Sequence, residues 1–479
     1  MQFRCSGFVN VECFAGVAGM AGVRRGWVCG VCMVVVLLMC STGRCLAQRA
    51  GYGERMTRLI WQDHETGGLY WGEVFQGQAW TVTASPVRDF PKLTAGEQSL
   101  VQMDRVDEFV LAGVRGNADG SSGSGWVALD IGVRGVPHGN HFDWQYPAAP
   151  RVLVSALNAE QGNPAHLYVS GGRFYVANDR KNGFTVVDPK RLGKEGLGAA
   201  QFFSGGGGHI TMAPVENRRV FATWIDGGGP NQGRVDVVEL PQPGGQVSNW
   251  SFQLPTGVLH GAATCAGKVF FAPADGVCWV PADVSAPQGE AAVPATHISL
   301  GQDAETGKPL RTGAFVCHRN YVVFVTGSGE QSALCLLDAA AAQPELIRIP
   351  LAVPDGLSLV TPEVVLAAGG KRYAFVFMDR AEGEVQEQLA IIDLDPDGNR
   401  NFADAKVRQM LPVGASRVSG HSGHHSVAFD SEGRIACIAN PGDGTIWVMT
   451  LKDLQVRGKS KVGGQPQGIL AAGSASHHH

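Results

Sequence analysis

Two histidines and an aspartate lie close together in the segment VPHGNHFDW, residues 136–144. His138 and His141 are three residues apart, and Asp143 follows two residues later. Neutral imidazole nitrogens and carboxylate oxygens are ligands that zinc prefers in proteins, usually four in number, with zinc–nitrogen distances of about 2.0–2.1 Å. The segment therefore predicts part of a zinc site, with a polar loop as the alternative. It lacks the HExxH helix that supplies the general base of a metalloprotease.

Further histidines occur at equivalent places in a repeated pattern. The segments that begin HLYVSGGRFYV, HITMAPVENRRVFATW and HSVAFDSEGRIACIAN each read as an apolar strand, a turn and a second apolar strand. Their first residues are His166, His209 and His425, and His260 in VLHGAA falls one position earlier in a looser copy. A single histidine at a strand start often only caps a backbone carbonyl. Several at equivalent positions favour a common metal or substrate site.

The repeat also predicts the fold. Looser copies begin at Leu100, Gly261, Gly313 and Thr361, so units of three or four short strands recur roughly every 35–60 residues. Helical periodicity is weak, and glycine accounts for 65 of the 479 residues. These features predict an all-β chain that forms a single β-propeller, because that fold repeats a small antiparallel sheet around a central channel.

The two ends of the repeat region predict how the ring closes. The segment RLIWQDHETGGLYWGEV, residues 58–74, has no inner strand before it, and QGILAAG, residues 467–473, has no strand after it. Pairing these N- and C-terminal strands would complete one more blade and leave no free edge. With seven internal units, eight blades are expected, and seven are the alternative. The inner-strand histidines should then converge at one mouth of the channel, with the HGNHFD connector over the same mouth.

Two later segments carry further metal candidates. GHSGHH, residues 420–425, adds His421 and His424 beside His425. DLDPDGNRNFAD spaces Asp393, Asp395 and Asp397 before a glycine, as at the start of a calcium loop. It ends in Asp where an EF-hand has Glu, so either a Ca²⁺ site or a solvated aspartate-rich turn is expected there.

The N-terminus predicts export. Arg24 and Arg25 precede the apolar run WVCGVCMVVVLLMC, which fits a secretory signal peptide over residues 1–47. The run is shorter than the roughly 20 residues of a membrane-spanning helix. We therefore expect a periplasmic or secreted protein without membrane insertion after cleavage. The propeller is assigned to residues 48–472, and residues 473–479 to a disordered tail that includes a possible tag remnant.

Cysteine usage and charge exclude several classes of protein. Five cysteines follow the leader with no CxxC spacing, which argues against a zinc ribbon or a dense disulfide framework. Cys265 and Cys278 flank a predicted hairpin, and whether they form a disulfide stays open. Lys and Arg number 39 against 43 Asp and Glu, a net charge of −4 with no polybasic run, so nucleic acid is not an expected partner. With no GxSxG motif and no Cys–His nucleophile pattern, we expect a non-enzymatic protein, as a monomer.

A family resemblance covers roughly residues 100–472. The order of HGNH, PAHLYV, GGGHITMAP, LHGAA, GHSGHH and VGGQPQGI resembles the periplasmic zinc metallochaperones of the AztD type. The resemblance implies an exported propeller that hands zinc to the solute-binding protein of an ABC importer. It implies ligand roles for His138, His141, His166 and His260, and for His421 or His424.

This chain departs from the family pattern in two places. Residues 48–60 lack the family's N-terminal histidines, and Ala262 replaces the carboxylate of its HGE segment. The leading hypothesis is a zinc chaperone or buffer, and a relative that holds zinc without delivering it is a variant of that hypothesis. The alternatives are a propeller scaffold that binds a protein or glycan through structural histidines, and a quinoprotein-like or lyase propeller.

Overall fold

The computed structural model describes residues 53–117, 122–139, 141–241, 246–287, 292–381, 384–419 and 422–475. The predicted signal peptide and His421 lie outside the described residues. Within them, no helix is long and apolar enough to cross a membrane.

Short antiparallel strands make up most of the described chain. The first eighteen are Glu54–Asp63 (β1), Gly68–Gln76 (β2), Thr81–Val82 (β3), Ser85–Pro86 (β4), Gln98–Val106 (β5), Phe109–Gly116 (β6), Ser124–Asp130 (β7), Arg134–His138 (β8), His141–Gln145 (β9), Arg151–Asn158 (β10), Pro164–Ser170 (β11), Arg173–Asn178 (β12), Gly183–Val187 (β13), Ala200–Ser204 (β14), Met212–Val215 (β15), Arg219–Thr223 (β16), Arg234–Glu239 (β17) and Ser248–Gln253 (β18). The others are Ala262–Cys265 (β19), Lys268–Phe271 (β20), Val277–Pro281 (β21), Thr296–Ile298 (β22), Val316–His318 (β23), Tyr321–Thr326 (β24), Ala333–Asp338 (β25), Leu346–Pro350 (β26), Leu357–Leu359 (β27), Glu363–Leu366 (β28), Arg372–Arg380 (β29), Gln388–Asp393 (β30), Lys406–Pro412 (β31), Ser426–Phe429 (β32), Ile435–Asn440 (β33), Thr445–Thr450 (β34), Gln455–Lys461 (β35) and Pro466–Ala472 (β36).

Helical structure in the described chain is limited to single turns. The one α-helical turn is Leu192–Glu195 (α1). The 3₁₀ turns are Ala159–Gln161, Asp179–Lys181, Pro189–Arg191, Gly196–Ala199, Gly329–Gln331 and Phe402–Asp404.

The strands form eight blades, which confirms the predicted eight-bladed propeller over the seven-bladed alternative. From the channel outward, blade 1 is β36, β1 and β2 with β3 and β4 at its edge, and blade 2 is β5, β6, β7 and β10. Blades 3 to 6 are β11–β14, β15–β18, β19–β22 and β23–β26. Blade 7 has a split inner strand, β27 and β28, followed by β29, β30 and β31, and blade 8 is β32–β35. The β8–β9 pair is a separate two-stranded hairpin.

The middle strands of each blade are apolar on both faces because each sheet packs between two neighbours. Strand β33, IACIAN, and strand β13, GFTVV, are buried along their whole length. Between blades 6 and 7, for example, Val323 and Leu336 pack against Val376 and Ile392. This accounts for the apolar runs that the sequence repeats, since a strand covered on both faces needs no alternation of polar side chains.

The ring closes as the sequence predicted. Strand β1 pairs antiparallel with β36, with Ile60 opposite Leu470. Thr57 Oγ1 donates a hydrogen bond to Ala472 O at 3.0 Å. The ordered chain continues beyond residue 472, because Ser474 is fully buried and its hydroxyl donates to Asp430 Oδ2 at 2.5 Å.

The inner strands define two mouths of the channel. We call the mouth at which inner strands begin the start mouth; Pro164, Ala262 and Ser426 are the first residues of three of them. The mouth at which they end, near Ser170 and Cys265, is called the end mouth. Connections from one blade to the next lie at the start mouth, and connections between third and outer strands lie at the end mouth.

The Cys265–Cys278 disulfide, which the sequence left open, does not form. Cys265 forms a disulfide with Cys317, 52 residues away, while Cys278 is a buried free thiol. Cys265 and Cys278 lie on β19 and β21, which are separated by β20 in the same sheet. Cys317 lies on β23, the inner strand of the next blade, with a Cα–Cα distance of 5.5 Å to Cys265. Blade-to-blade packing rather than a local hairpin therefore determines the pairing.

Candidate metal centre

Three histidines from three consecutive blades converge at the start mouth. His166 lies on β11, while His209 and His260 lie just before β15 and β19. One ligand atom from each lies within 4.8 Å of the other two. The ring centroids are 4.6 Å apart for His166 and His209, and 5.2 Å apart for His209 and His260. We call these three residues the histidine triad.

Glycine-rich backbone brings His209 into the triad. The segment SGGGGH joins the outer strand of blade 3 to the inner strand of blade 4 as a tight connector. Gly206 and Gly208 have φ angles of +79° and +76°, which L side chains rarely adopt. A Cβ at Gly207 would lie 2.2 Å from the Trp224 ring. Only a glycine run can make this close approach.

A buried carboxylate orients the His209 ring. Asp179, in the turn after β12, accepts a hydrogen bond from His209 Nδ1 at 3.1 Å and from Ile210 N at 3.1 Å. Arg115 Nη1 donates to the same carboxylate at 3.0 Å. Burial alone would raise the pKa of Asp179, but the hydrogen bonds from His209, Ile210 N and Arg115 hold it below its ordinary value. An ionised Asp179 fixes the proton of His209 on Nδ1, so that Nε2 carries the lone pair.

The third imidazole is held by the next blade. His260 Nδ1 lies 3.4 Å from Gly313 O, just before β23. A carbonyl oxygen only accepts, so this contact also places the proton on Nδ1 and the lone pair on Nε2.

The donor set fits zinc. Two nitrogens bound tetrahedrally at about 2.0–2.1 Å lie roughly 3.3 Å apart. His166 Nε2 and His209 Nε2 are 2.9 Å apart, close to that separation. Two lone pairs at this distance repel each other unless a proton or a cation lies between them. Three imidazole donors suit zinc and similar transition metals rather than Mg²⁺ or Ca²⁺, which prefer oxygen ligands, and they leave a fourth position open.

The HGNHFD segment forms a second group of potential ligands. It is a hairpin in which His138 on β8 is paired with His141 on β9. His138 Nδ1 lies 3.0 Å from Asp143 Oδ2, and His141 Nε2 lies 3.6 Å from Asp143 Oδ1. These three residues, called the hairpin group, also keep their ligand atoms within 4.8 Å of one another. The side chain of His138 is 56% exposed, so this group lies at the surface.

The sequence predicted that this hairpin lies over the start mouth, and the structure places it elsewhere. It is inserted between β7 and β10, the third and outer strands of blade 2, and so belongs to the end mouth. Trp144 Nε1 donates to Glu432 Oε1 at 3.1 Å, and Glu432 lies in the turn that follows inner strand β32. The prediction failed because it did not recognise β10 as the outer strand of this blade. The hairpin group and the triad are therefore separate sites on opposite faces.

The late histidines lie at the start mouth but make a different arrangement. His425 Nδ1 lies 2.6 Å from Asp379 Oδ1, and His425 Nε2 lies 3.0 Å from Gly414 O. Both ring nitrogens of His425 are therefore engaged by protein oxygens, so neither is directed toward an open metal position. His424 Nδ1 contacts Asp379 Oδ2 at 3.0 Å, which leaves its Nε2 for other contacts. This geometry favours a structural role for His425 and leaves His424 as the ligand candidate among the described residues of this segment.

Asp379 belongs to a buried polar network that forms a third group of potential metal ligands. Asp379, Glu387 and His425 are all buried, with ligand atoms within 4.8 Å of one another. Glu387 accepts hydrogen bonds from Ser416 N at 2.7 Å and from the Ser416 hydroxyl. Hydrogen bonds therefore occupy these groups, and we interpret the network as structural.

Asp179 and Asp379 are the ligand-orienting residues that sequence reasoning missed. Each accepts from a histidine Nδ1 and from the backbone N–H of the residue after that histidine. His209 is therefore equivalent to His424. The sequence repeat had instead matched His209 with His425, which is one residue further along the chain. The signal was present, because Asp-Arg stands at or just after the end of the second strand in these two repeats, at residues 179–180 and 379–380.

The DLDPDGNRNFAD segment forms a hydrogen-bonded aspartate turn, which favours the turn over the Ca²⁺ site of the two expected alternatives. Asp395 pairs with Arg372 at 2.8 Å, and its other oxygen accepts from Arg400 N. Asp397 caps Asn399 N at 3.0 Å, and Asp393 accepts from Asp395 N at 3.3 Å. The carboxylates are used within the turn, and the Arg372 guanidinium already neutralises Asp395.

The channel between the two mouths contains acidic groups. A cavity of about 710 Å³, lined by Asp104, Tyr168, Met212 and Phe315 among others, lies along the inner strands of blades 3 to 5. Desolvation by the surrounding channel walls and the nearby Asp104 raise the pKa of Glu363, on β28, to about 7, although this residue is exposed to solvent. Strands β28 and β5 are the innermost strands of blades 7 and 2, so both carboxylates lie on strands that line the channel.

Fold and site together define an eight-bladed propeller whose channel mouth presents clustered imidazoles. The chain is similar in structure to apo AztD from Citrobacter koseri, with a TM-score of 0.58, 17% identity, and coverage of 88% of this chain and 100% of that one. A second structure of Citrobacter koseri AztD gives the same TM-score and identity, with 89% and 100% coverage. The dihydro-heme d1 dehydrogenase NirN is also similar, with a TM-score of 0.50, 14% identity, and coverage of 88% and 78%. No protein-family model and no curated protein matches the chain. At these identities the likeness establishes the fold.

Proposed function

We propose that this protein is an exported zinc-binding propeller that acts as a zinc chaperone or buffer. The observation that carries the proposal is the convergence of His166, His209 and His260, from blades 3, 4 and 5, at one mouth. Structural histidines would each need only a local carbonyl, whereas these three turn their ring nitrogens toward one another. The likeness of the fold to AztD agrees with this proposal.

The site is suited to holding zinc reversibly. Three protein ligands with an open fourth position are typical of zinc sites at which the metal stays accessible to an incoming group. Asp179 fixes the orientation of the His209 ring, and Arg115 in turn holds Asp179. An acceptor protein could therefore supply the fourth ligand before any triad ligand leaves. Its proposed identity is the solute-binding protein of a zinc ABC importer.

We propose the hairpin group as a second, weaker site on the other face. Two imidazoles and one carboxylate are suitable zinc ligands, but His138 and Asp143 are 56% and 43% exposed in their side chains. Exposed ligands are less rigidly held than those of the triad, so zinc should exchange faster at this site.

The test is zinc stoichiometry measured by equilibrium dialysis and elemental analysis. The protein should lack residues 476–479, so that the terminal histidines cannot bind metal. We expect the wild-type protein to bind two zinc ions per chain. The double variants His166→Ala/His209→Ala and His138→Ala/His141→Ala should each bind one. His297→Ala, which removes an exposed histidine outside both groups, is the control and should leave the count at two.

Two outcomes would contradict the proposal. If the wild-type protein binds no zinc at micromolar zinc concentrations, the zinc proposal is contradicted, and the alternative of a protein- or glycan-binding scaffold is favoured. An unchanged stoichiometry in the first double variant would show that the triad is not the site. Transfer is tested separately, by mixing zinc-loaded protein with a candidate solute-binding protein and following the metal through size separation.

A further inference from the structure

The Cys265–Cys317 disulfide ties together two inner strands that no backbone hydrogen bonds connect. Cys265 is the last residue of β19 in blade 5, and Cys317 lies on β23 in blade 6. These strands belong to different sheets. Elsewhere in the described ring, neighbouring blades associate through side-chain packing and hydrogen bonds, so this bond is a covalent link between blades at the end mouth.

The same two segments also touch at the start mouth, where the triad lies. His260 Nδ1 contacts Gly313 O at 3.4 Å. A Cβ on Gly261 would lie only 2.8 Å from that oxygen, so the two backbones are in close contact. His260 and Cys265 are five residues apart, about 17 Å of extended chain. The inner strand that carries the His260 ligand is therefore attached to blade 6 at both ends.

The disulfide is accessible to a reductant from one side. Cys317 is exposed, whereas Cys265 is 2% exposed. The free thiols in the described chain, Cys278, Cys335 and Cys437, are fully buried. Burial raises the pKa of Cys278 and Cys335 to about 12, so these thiols are not reactive partners for exchange.

Reduction by an external dithiol has a defined course. A thiolate of the dithiol attacks Cys317 Sγ, the S–S bond breaks, and Cys265 leaves as a thiolate that takes up a proton. The second thiol of the reductant then displaces Cys317. Two electrons and two protons pass to the protein, and the dithiol becomes a disulfide.

We propose that this disulfide sets the zinc affinity of the triad, and that its reduction promotes zinc release. The inference rests on the proposed zinc function. His260 is the one triad ligand that blade 5 supplies, and its position depends on contact with Gly313. Opening the bond removes one of the two attachments of β19 to blade 6, so His260 loses pre-organisation and must be ordered again when zinc binds.

The experiment compares zinc affinity in the two redox states. The protein without residues 476–479 is titrated against a chromophoric zinc chelator, before and after reduction with a trialkylphosphine. The phosphine is oxidised to its oxide with oxygen from water, and it adds no thiol that would compete for zinc. The Cys265→Ser/Cys317→Ser variant reproduces the open state without reductant, and Cys278→Ser is the matched control.

We expect reduction and the double serine variant each to raise the Kd of the triad about tenfold, while Cys278→Ser leaves it unchanged. In His260→Ala, the remaining affinity should not respond to reduction. In His166→Ala/His209→Ala, the hairpin group should bind zinc equally in both states, which also reports that the reduced protein is folded.

Three other outcomes would each contradict a specific part of the proposal. Equal Kd values within twofold in the oxidised and reduced states would overturn the redox inference and leave the zinc proposal intact. Oxidised protein without zinc at the triad would overturn the proposed function itself. Parallel loss of affinity at the triad and the hairpin group would indicate general unfolding, and would also overturn the inference of a local effect.

Discussion

The Asp179 carboxylate lies 3.1 Å from Nδ1 of His209. Their residue numbers differ by 30, and they come from adjacent blades, so the contact forms only when blade 3 packs against blade 4. Asp179 is 5% exposed, and Arg115 donates to Oδ2, the same oxygen that His209 contacts. The metal candidate is therefore anchored through a buried carboxylate and its partly exposed arginine partner rather than by its own strand alone.

Replacing Asp179 by Asn should weaken zinc binding at the triad by about 10- to 100-fold, the usual cost of losing a partner that orients a ligand. The Asn amide can donate to Nδ1, which would move the proton to Nε2 and remove the lone pair that binds zinc. The measurement is the Kd from chelator competition.

Asp379→Asn is the matched control for this change, because Asp379 makes the same pair of contacts at blade 8. We expect it to lower the melting temperature, since it leaves His425 buried beside an uncharged partner, while the triad Kd stays within threefold of wild type. Equal Kd values in wild type and Asp179→Asn would contradict the orienting role.

Gly261→Ala should displace His260 while leaving both of its neighbouring blades folded. The added Cβ would lie 2.8 Å from Gly313 O, so the backbones must separate by several tenths of an ångström. We expect the triad Kd to rise about five- to tenfold, with stability reduced by about 1–3 kcal/mol, as for other overpacked sites.

The control for this substitution is Gly193→Ala, in the helical turn α1, where an added Cβ meets nothing within 4 Å and φ is not positive. The Gly193→Ala protein should bind zinc at the triad with the wild-type Kd. A Gly261→Ala protein with wild-type Kd would show that the contact with Gly313 does not position His260.

The sequence predicted the ring and the triad for the same reason. Each repeat buries its strands in the same way, so residues at equivalent positions, such as His166 and His209, must lie at one mouth. The prediction failed where a position depends on a strand that the repeat did not show clearly. Without β10, the hairpin was assigned to the wrong mouth, and without the blade-to-blade contact of β19 and β23, Cys265 had no visible partner.

Asp130→Asn should destabilise the fold at neutral pH but not in acid. Asp130 accepts from Gly132 N and Arg134 at 2.8–3.0 Å. Burial alone would raise its pKa, but the hydrogen bonds from Arg134 and Gly132 N lower it below the ordinary value of 3.8. A lowered pKa in the folded state contributes stability that is fully present above the unfolded value, and that is lost as pH falls through the folded one.

We therefore expect Asp130→Asn to cost about 2 kcal/mol at pH 7, and to approach wild-type stability as the pH falls below 3.8 through the lowered pKa of the folded state. Urea unfolding at pH 7 and across this acid range checks this. Asp107→Asn, at an exposed turn position, should cost less than 0.5 kcal/mol at either pH. If the free energy of unfolding differs between Asp130→Asn and wild type by the same amount at every pH, Asp130 is not an ionised, hydrogen-bonded group in the folded protein.

Removing the last inner strand should open the ring. A protein that ends at residue 465 lacks β36, the partner of β1, and lacks Ser474, whose hydroxyl donates to Asp430. The edge of β1 would then be free, and a long free edge pairs with other chains. We expect soluble aggregates and no cooperative thermal transition, whereas a protein that ends at residue 475 should melt as wild type does. A folded, cooperatively melting protein after the longer truncation would show that the seven remaining blades and the β1–β4 remnant close without the C-terminal strand.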